Sequence, residues 1–131
     1  MKKIITSPNA PDPIGPYNQA VLANDTLFLS GQIGLNPLSM KMVEGGVKEE
    51  AKQVMENLKA VLEAAEMTFD QVVKSSIFLS DMEDFSQVNE VYAAYFNNDN
   101  APARETIAVK TLPKNVKVEI SMIAVKYGLF Y

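Results

Sequence analysis

The hydrophobic pattern changes period several times along the chain. Val47, Ala51, Val54, Met55, Leu58, Val61, Leu62 and Ala65 recur at i, i+4, i+7, i+8, i+11, i+14, i+15 and i+18, which is one stripe of an α-helix. Lys48, Glu49, Lys52, Glu56, Lys59 and Glu63 fall mostly on the other face. Glu56–Lys59 and Lys59–Glu63 have the spacing of helix-neighbour ion pairs. Phe85, Val88, Val91, Tyr92, Tyr95 and Phe96 make a second helical stripe, read as core. Asp84 and Gln87 before it have the spacing of a capping box, and Asn97-Asn98-Asp99-Asn100 closes it in polar turn residues.

Elsewhere short apolar runs and alternation predict strands. They cover Lys2–Thr6, Asn18–Leu22, Thr26–Gly34, Val72–Ser80, Arg104–Lys110 and Val116–Lys126. Asn24-Asp25 is a turn signal that folds the second and third into a hairpin. Thr111-Leu112-Pro113-Lys114-Asn115 predicts a hairpin of the last two. Between Val72 and Ser80, Val73, Ile77 and Leu79 share one face, opposite Lys74, Ser76 and Phe78. Ser7 to Tyr17 carries four prolines and reads as an ordered loop.

The resulting order is β-β-β-α-β-α-β-β, without repeat or linker. It predicts one α+β domain over residues 1–131, with a mixed sheet and both helices on one face. In the last strand Val116, Val118, Ile120, Met122 and Ala124 share a face, opposite Lys117, Glu119, Ser121, Ile123 and Val125. The second face begins polar and ends apolar, whereas a face left in water stays polar. It is therefore expected to be buried, against helices or another subunit, and an oligomer follows. Glu119 would sit where water meets an apolar surface, which raises a carboxyl pKa.

Composition removes whole classes of chemistry. The 131 residues include no histidine and no cysteine, so Ser–His–Asp and Cys–His nucleophiles, disulfides and conventional zinc sites are excluded. A net charge of −4 gives no global basic footprint for nucleic acid. No apolar run approaches the ~18 residues of a spanning helix, and the apolar start is too short for a signal peptide; no membrane association and a cytoplasmic location are expected. Carboxylates, hydroxyls, lysines, backbone amides, water and one arginine remain.

That arginine is Arg104, beside eleven lysines. Its planar fork grips a carboxylate or phosphate through two parallel hydrogen bonds, which lysine cannot do. The count alone fits equally an anion grip or one structural ion pair. Glu119 likewise reads as a functional carboxylate or as the partner of Lys117 or Arg104.

Pro102-Ala103-Arg104 before an apolar strand, with Leu112-Pro113 and Val118-Glu119-Ile120 after it, resembles the signature of the RidA/YjgF family. So do Asn9-Ala10-Pro11, Ile14-Gly15-Pro16-Tyr17, Gln19-Ala20, Ser30-Gly31-Gln32 and Asn89. These separated motifs agree in order over nearly the whole chain. The resemblance implies a chorismate-mutase-like α+β fold and a homotrimer with clefts between subunits. It also implies hydrolysis of reactive 2-imino and enamine acids, such as 2-aminoacrylate and 2-iminobutanoate, to 2-keto acids and ammonia, with no cofactor or metal. Carried over by motif, Arg104 would pair with the substrate carboxylate, Glu119 would hold or activate water, and Tyr17 would close the cleft across a subunit boundary. Ser30 and Gly31 would line it, Thr106 would offer a backbone N–H to the carboxylate, and Asn89 would form pocket wall.

Each residue also has a plainer reading. Tyr17 could pack on the prolines, Ser30 and Asn89 could be ordinary polar positions, Gly31 a strand bend, and Thr106 a strand residue. Many family members carry Ser-Cys after the arginine, where this chain has Glu105-Thr106; that bears on which imine fits. A keto-acid-binding regulatory protein of the same fold is the main alternative. A translation inhibitor or ribonuclease ranks lower, given the acidic charge and the lack of histidine.

Overall fold

The computed structural model describes residues 2–126. Six strands and two helices follow the expected order: β1 Lys2–Ile5, β2 Ala20–Ala23, β3 Thr26–Gln32, α1 Val47–Ala64, β4 Val72–Leu79, α2 Phe85–Ala93, β5 Ala103–Ala108 and β6 Val118–Val125. The strands form one sheet in the order β1-β2-β3-β6-β4-β5. All neighbours are antiparallel except β4 and β5, so the sheet is mixed.

Asn24, with φ of 54°, turns β2 into β3 as expected, and Ala23 pairs with Thr26. The hairpin predicted for β5 and β6 does not form. β5 runs parallel to β4 at the far edge, and β6 inserts between β3 and β4. The reason lies in burial. The inner face of β6 is fully buried, whereas five of the six β5 positions are exposed, so β5 suits an edge and β6 the centre. The β4-α2-β5 unit makes a crossover that returns a parallel strand. Residues 109–117 then carry the chain past the end of β4, where the Ser80 amide donates to the Lys117 carbonyl at 3.1 Å.

The core lies between the sheet and the two helices. Leu27, Leu29, Ile77, Leu79, Val118, Ile120, Met122 and Ala124 meet Val54, Met55, Leu58, Val61 and Leu62 of α1 and Val88 and Tyr92 of α2. Both helices thus cover one face, as expected. Val73 departs from its predicted side: the register of β4 shifts between Val72 and Lys74, so Val72 is buried and Val73 is exposed.

The predicted caps and surface pairs differ in detail. Asp84 has helical dihedrals and no side-chain cap bond; Asp81, one turn earlier, accepts from the Glu83 amide at 2.9 Å. Among the described residues Lys59 pairs with neither Glu56 nor Glu63. Glu56 instead accepts the Tyr95 hydroxyl at 2.7 Å, and Lys48 bridges to Glu90 on α2 at 2.8 Å.

Three buried polar residues hold the loops. Gln19 donates its amide to the carbonyls of Ser7, Ala10 and Pro11 and accepts the Ser7 amide at 2.6 Å. Asn57, on the inner face of α1, donates to the carbonyls of Ile33 and Leu35. Glu50 accepts the Lys117 amide at 2.9 Å. Each supplies partners to backbone groups that burial would otherwise leave unpaired.

The other sheet face is uncovered by any described segment. Phe28, Val73 and Ile107 are 48%, 39% and 46% exposed, apolar side chains set among the polar Lys74, Ser76, Glu105 and Ser121. There Glu105 accepts from the Ser76 hydroxyl and pairs with Lys74 at 2.9 Å. The Ser76 bond, then Lys74, holds the Glu105 carboxyl below its usual range.

Candidate active site

The seven candidate residues fall into two groups. Tyr17, Ser30, Gly31 and Glu119 line one pocket of about 360 Å³, with Pro11, Ile14, Ile33, Leu35 and Pro113 as its apolar wall. Asn89, Arg104 and Thr106 belong elsewhere, against α2.

The first group is built on an irregularity. The β3–β6 register shifts between Leu29 and Gln32: Leu29 pairs with Met122 and Gln32 with Ile120. One extra residue is accommodated at Ser30-Gly31, a bulge that bends the strand beside the pocket. Ser30 donates its hydroxyl to the Asn18 carbonyl at 2.6 Å and its amide to the Gln19 carbonyl at 2.9 Å. Gln19 therefore fixes both the proline loop and the bulge. Tyr17 is half exposed at the loop's exit, its hydroxyl accepting the Ile14 amide at 3.4 Å. The family motifs name Gln19, Pro11, Ile14 and Pro113 without giving them a role, and only Ile33 and Leu35 of the apolar wall carry no signal in the sequence.

Glu119 lies against Gly31. A Cβ on Gly31 would collide with the carboxylate, reaching 2.9 Å from Glu119 Cδ, so the glycine is required for close approach. Glu119 pairs with neither Lys117 nor Arg104, and has no ion-pair or hydrogen-bond partner among the described residues. Burial pushes its pKa up, the direction expected from its sequence position.

The second group centres on the guanidinium. Arg104 Nη1 donates to Asn89 Oδ1 at 2.7 Å. Its central carbon sits 5.1 Å from the Tyr92 ring and 5.7 Å from the Phe85 ring, within cation–π range. Phe85, Asn89 and Tyr92 follow at i, i+4 and i+7 and share one side of α2. Part of the stripe read as core therefore cradles the arginine. No carboxylate pairs with Arg104 among the described residues, so the structural ion pair is absent there. Thr106 shares the Arg104 face, and its buried hydroxyl has no partner.

Arg104 and Glu119 do not converge within one chain. Arg104 pairs with Ser75, which is buried on the helix side, whereas Glu119 pairs with Phe78, on the opposite face. Strand partners share a face and successive residues alternate. Glu105 points away from Arg104, as expected.

No group of three or more His, Cys, Asp or Glu among the described residues could hold a metal ion. No described helix is long and apolar enough to cross a membrane.

Residues 7–126 match the family described as endoribonuclease L-PSP. The chain is 45% identical over 126 residues to human 2-iminobutanoate/2-iminopropanoate deaminase, covering 96% of this chain and 91% of that protein. The structure of RidA from Psychrobacter sp. PAMC 21119 superposes with a TM-score of 0.91 at 40% identity, covering 95% of this chain and 99% of that one. E. coli TdcF with bound serine gives 0.89 at 38% identity, with the same coverage. Motifs, fold and these likenesses agree, and the chain belongs to the RidA/YjgF family.

Proposed function

We propose that this protein hydrolyses reactive 2-imino acids to 2-keto acids and ammonia, at sites completed between copies in a homotrimer. The opposed placement of Arg104 and Glu119 carries the reading. Each is a charged group without a counter-ion among the described residues, and each stands beside a surface another copy could cover. The uncovered apolar face supplies a reason to associate. Deaminase names among relatives about 45–48% identical support the activity, and the serine in TdcF is a 2-amino acid of similar skeleton.

In this scheme Arg104 of one copy grips the substrate carboxylate, and the Thr106 amide adds a donor. Glu119 of the next copy holds a water above the iminium carbon, with Tyr17 over the cleft and Ser30 and Gly31 as its floor. The carbon is already electrophilic, so no protein nucleophile is needed. The water oxygen bonds to C2, its proton passes to Glu119, and the C=N π electrons go to nitrogen. Glu119 then returns the proton to the amine nitrogen. The hydroxyl then gives its remaining proton to Glu119 as the C–N bond breaks and C=O forms, releasing ammonia and the 2-keto acid. A raised carboxyl pKa suits a group that must accept and return a proton.

The test is imine loss, with 2-iminobutanoate generated in situ by a threonine dehydratase. Faster loss with the protein present supports the proposal; no change over several imines would replace it with the keto-acid-binding reading.

A further inference from the structure

The Arg104 guanidinium is held on three sides by one stripe of α2. Tyr92 and Phe85 lie against it, and Asn89 accepts from Nη1. The edge formed by Nε and Nη2 has no partner among the described residues. Tyr92 is itself tied down: its hydroxyl donates to Ser75 Oγ at 2.9 Å. Ser75 is 0% exposed and is the strand partner of Arg104. The contacts therefore close a ring, from the Arg104 backbone to Ser75, to the Tyr92 hydroxyl, and back through the Tyr92 ring to the guanidinium. Val72, Ile77 and Leu79 are the other buried residues of that strand, so the serine hydroxyl is the exception on an apolar surface.

We propose that Tyr92, anchored by Ser75, is a positioning residue that fixes which edge of the Arg104 guanidinium is presented to a ligand. The presented edge is the Nε–Nη2 side, which takes a carboxylate in a two-point grip. Exposed arginines lose rotamer freedom when they bind; here that ordering is supplied in advance by the α2 stripe. The inference rests on the reading of Arg104 as a carboxylate grip.

Because the chain has one arginine, its Nε–Hε signal is alone in that region of a ¹⁵N-correlated NMR spectrum. In the intact protein we expect a ring-current-shifted Nε–Hε signal and slow rotation about Nε–Cζ. Tyr92→Leu should remove the shift, and Ser75→Ala, which deletes one oxygen and serves if the Leu variant fails to fold, should speed the rotation. Affinity for 2-oxobutanoate, titrated in the same samples, should fall about threefold to tenfold. Tyr92 and Arg104→Lys effects on that affinity should be less than additive. An unaltered arginine signal and unaltered affinity in a folded variant overturn the proposal and leave Tyr92 a core residue. The arginine signal needs no turnover. If it responds while wild type hydrolyses no imine, positioning stands and the deaminase reading falls; the reverse pattern separates them the other way.

Discussion

Arg104 and Glu119 project from opposite faces of one sheet. Ser75 of β4 stands beside Arg104, and Phe78 of the same strand stands beside Glu119. Ser75 and Phe78 are three positions apart, an odd step, and side chains alternate along a strand, so no rotamer brings the arginine and the carboxylate together. A site using both takes them from different chains.

Arg104 is where charge geometry matters most. Arg104→Lys keeps the charge and removes the fork. We expect kcat/KM for 2-iminobutanoate to fall about 100-fold, ~2.7 kcal/mol, with thermal stability nearly unchanged because the residue is exposed. Steady-state kinetics and a melting curve check this; an undiminished lysine variant would contradict a two-point grip.

Gly31 makes room for Glu119. Gly31→Ala places a methyl where the carboxylate now lies, and the side chain must move. Displacement by about 1 Å costs on the order of 100-fold. Activity should fall by that order while the sheet stays folded, and the loss should not add to that of Glu119→Gln. Additive losses, measured as a double-mutant cycle, would place the two residues in separate roles.

Burial raises the pKa of Glu119. A base must be ionised, so kcat/KM should decline toward acid with an apparent pKa above the usual ~4.3. Glu119→Gln should lose that limb along with most of the rate. The folded chain also holds this proton to higher pH than the unfolded chain. That contribution to stability is present below the unfolded pKa and is lost as pH rises through the folded value. Wild type should therefore lose ground to Glu119→Gln in thermal melts over that interval, and match it in acid.

Phe28 and Ile107 stand on the uncovered face. Phe28→Asp puts a charge on a surface proposed to be buried between copies, where an unpaired charge is costly. Sedimentation equilibrium should report three times the 14.4 kDa of one chain for wild type and a smaller mass for the variant. Activity should disappear with assembly while far-ultraviolet dichroism persists. A monomeric wild type at working concentration would contradict the shared site.

The order of elements was legible because each carries its own period: helical stripes at Val47–Ala65 and Phe85–Phe96, alternation at Val118–Val125. The position of β5 was not. Strand pairing depends on which strand is buried on which face, and the Thr111–Asn115 turn carries no information about β4. The bulge at Val72–Lys74 was invisible for the same reason, whereas Gly31 marked a strand bend where the register shifts between Leu29 and Gln32. Gln19, Asn57 and Glu50 look like surface residues in sequence, since the carbonyls and amides they satisfy come from distant loops. Family motifs named the candidate residues individually. Their division into two groups on opposite faces required the strand order, and the α2 cradle around Arg104 required the parallel pairing of β4 with β5.

Mixing two inactive variants tests the shared site most directly. Arg104→Ala and Glu119→Gln, co-expressed in equal amounts and purified together, each retain the group the other lacks. If every site draws Glu119 from one chain and Arg104 from its neighbour, random assembly leaves about a quarter of the sites intact. The mixture should then regain about a quarter of wild-type imine hydrolysis, while each variant alone stays inactive. Mixed oligomers no more active than their parents would contradict a site built from two chains.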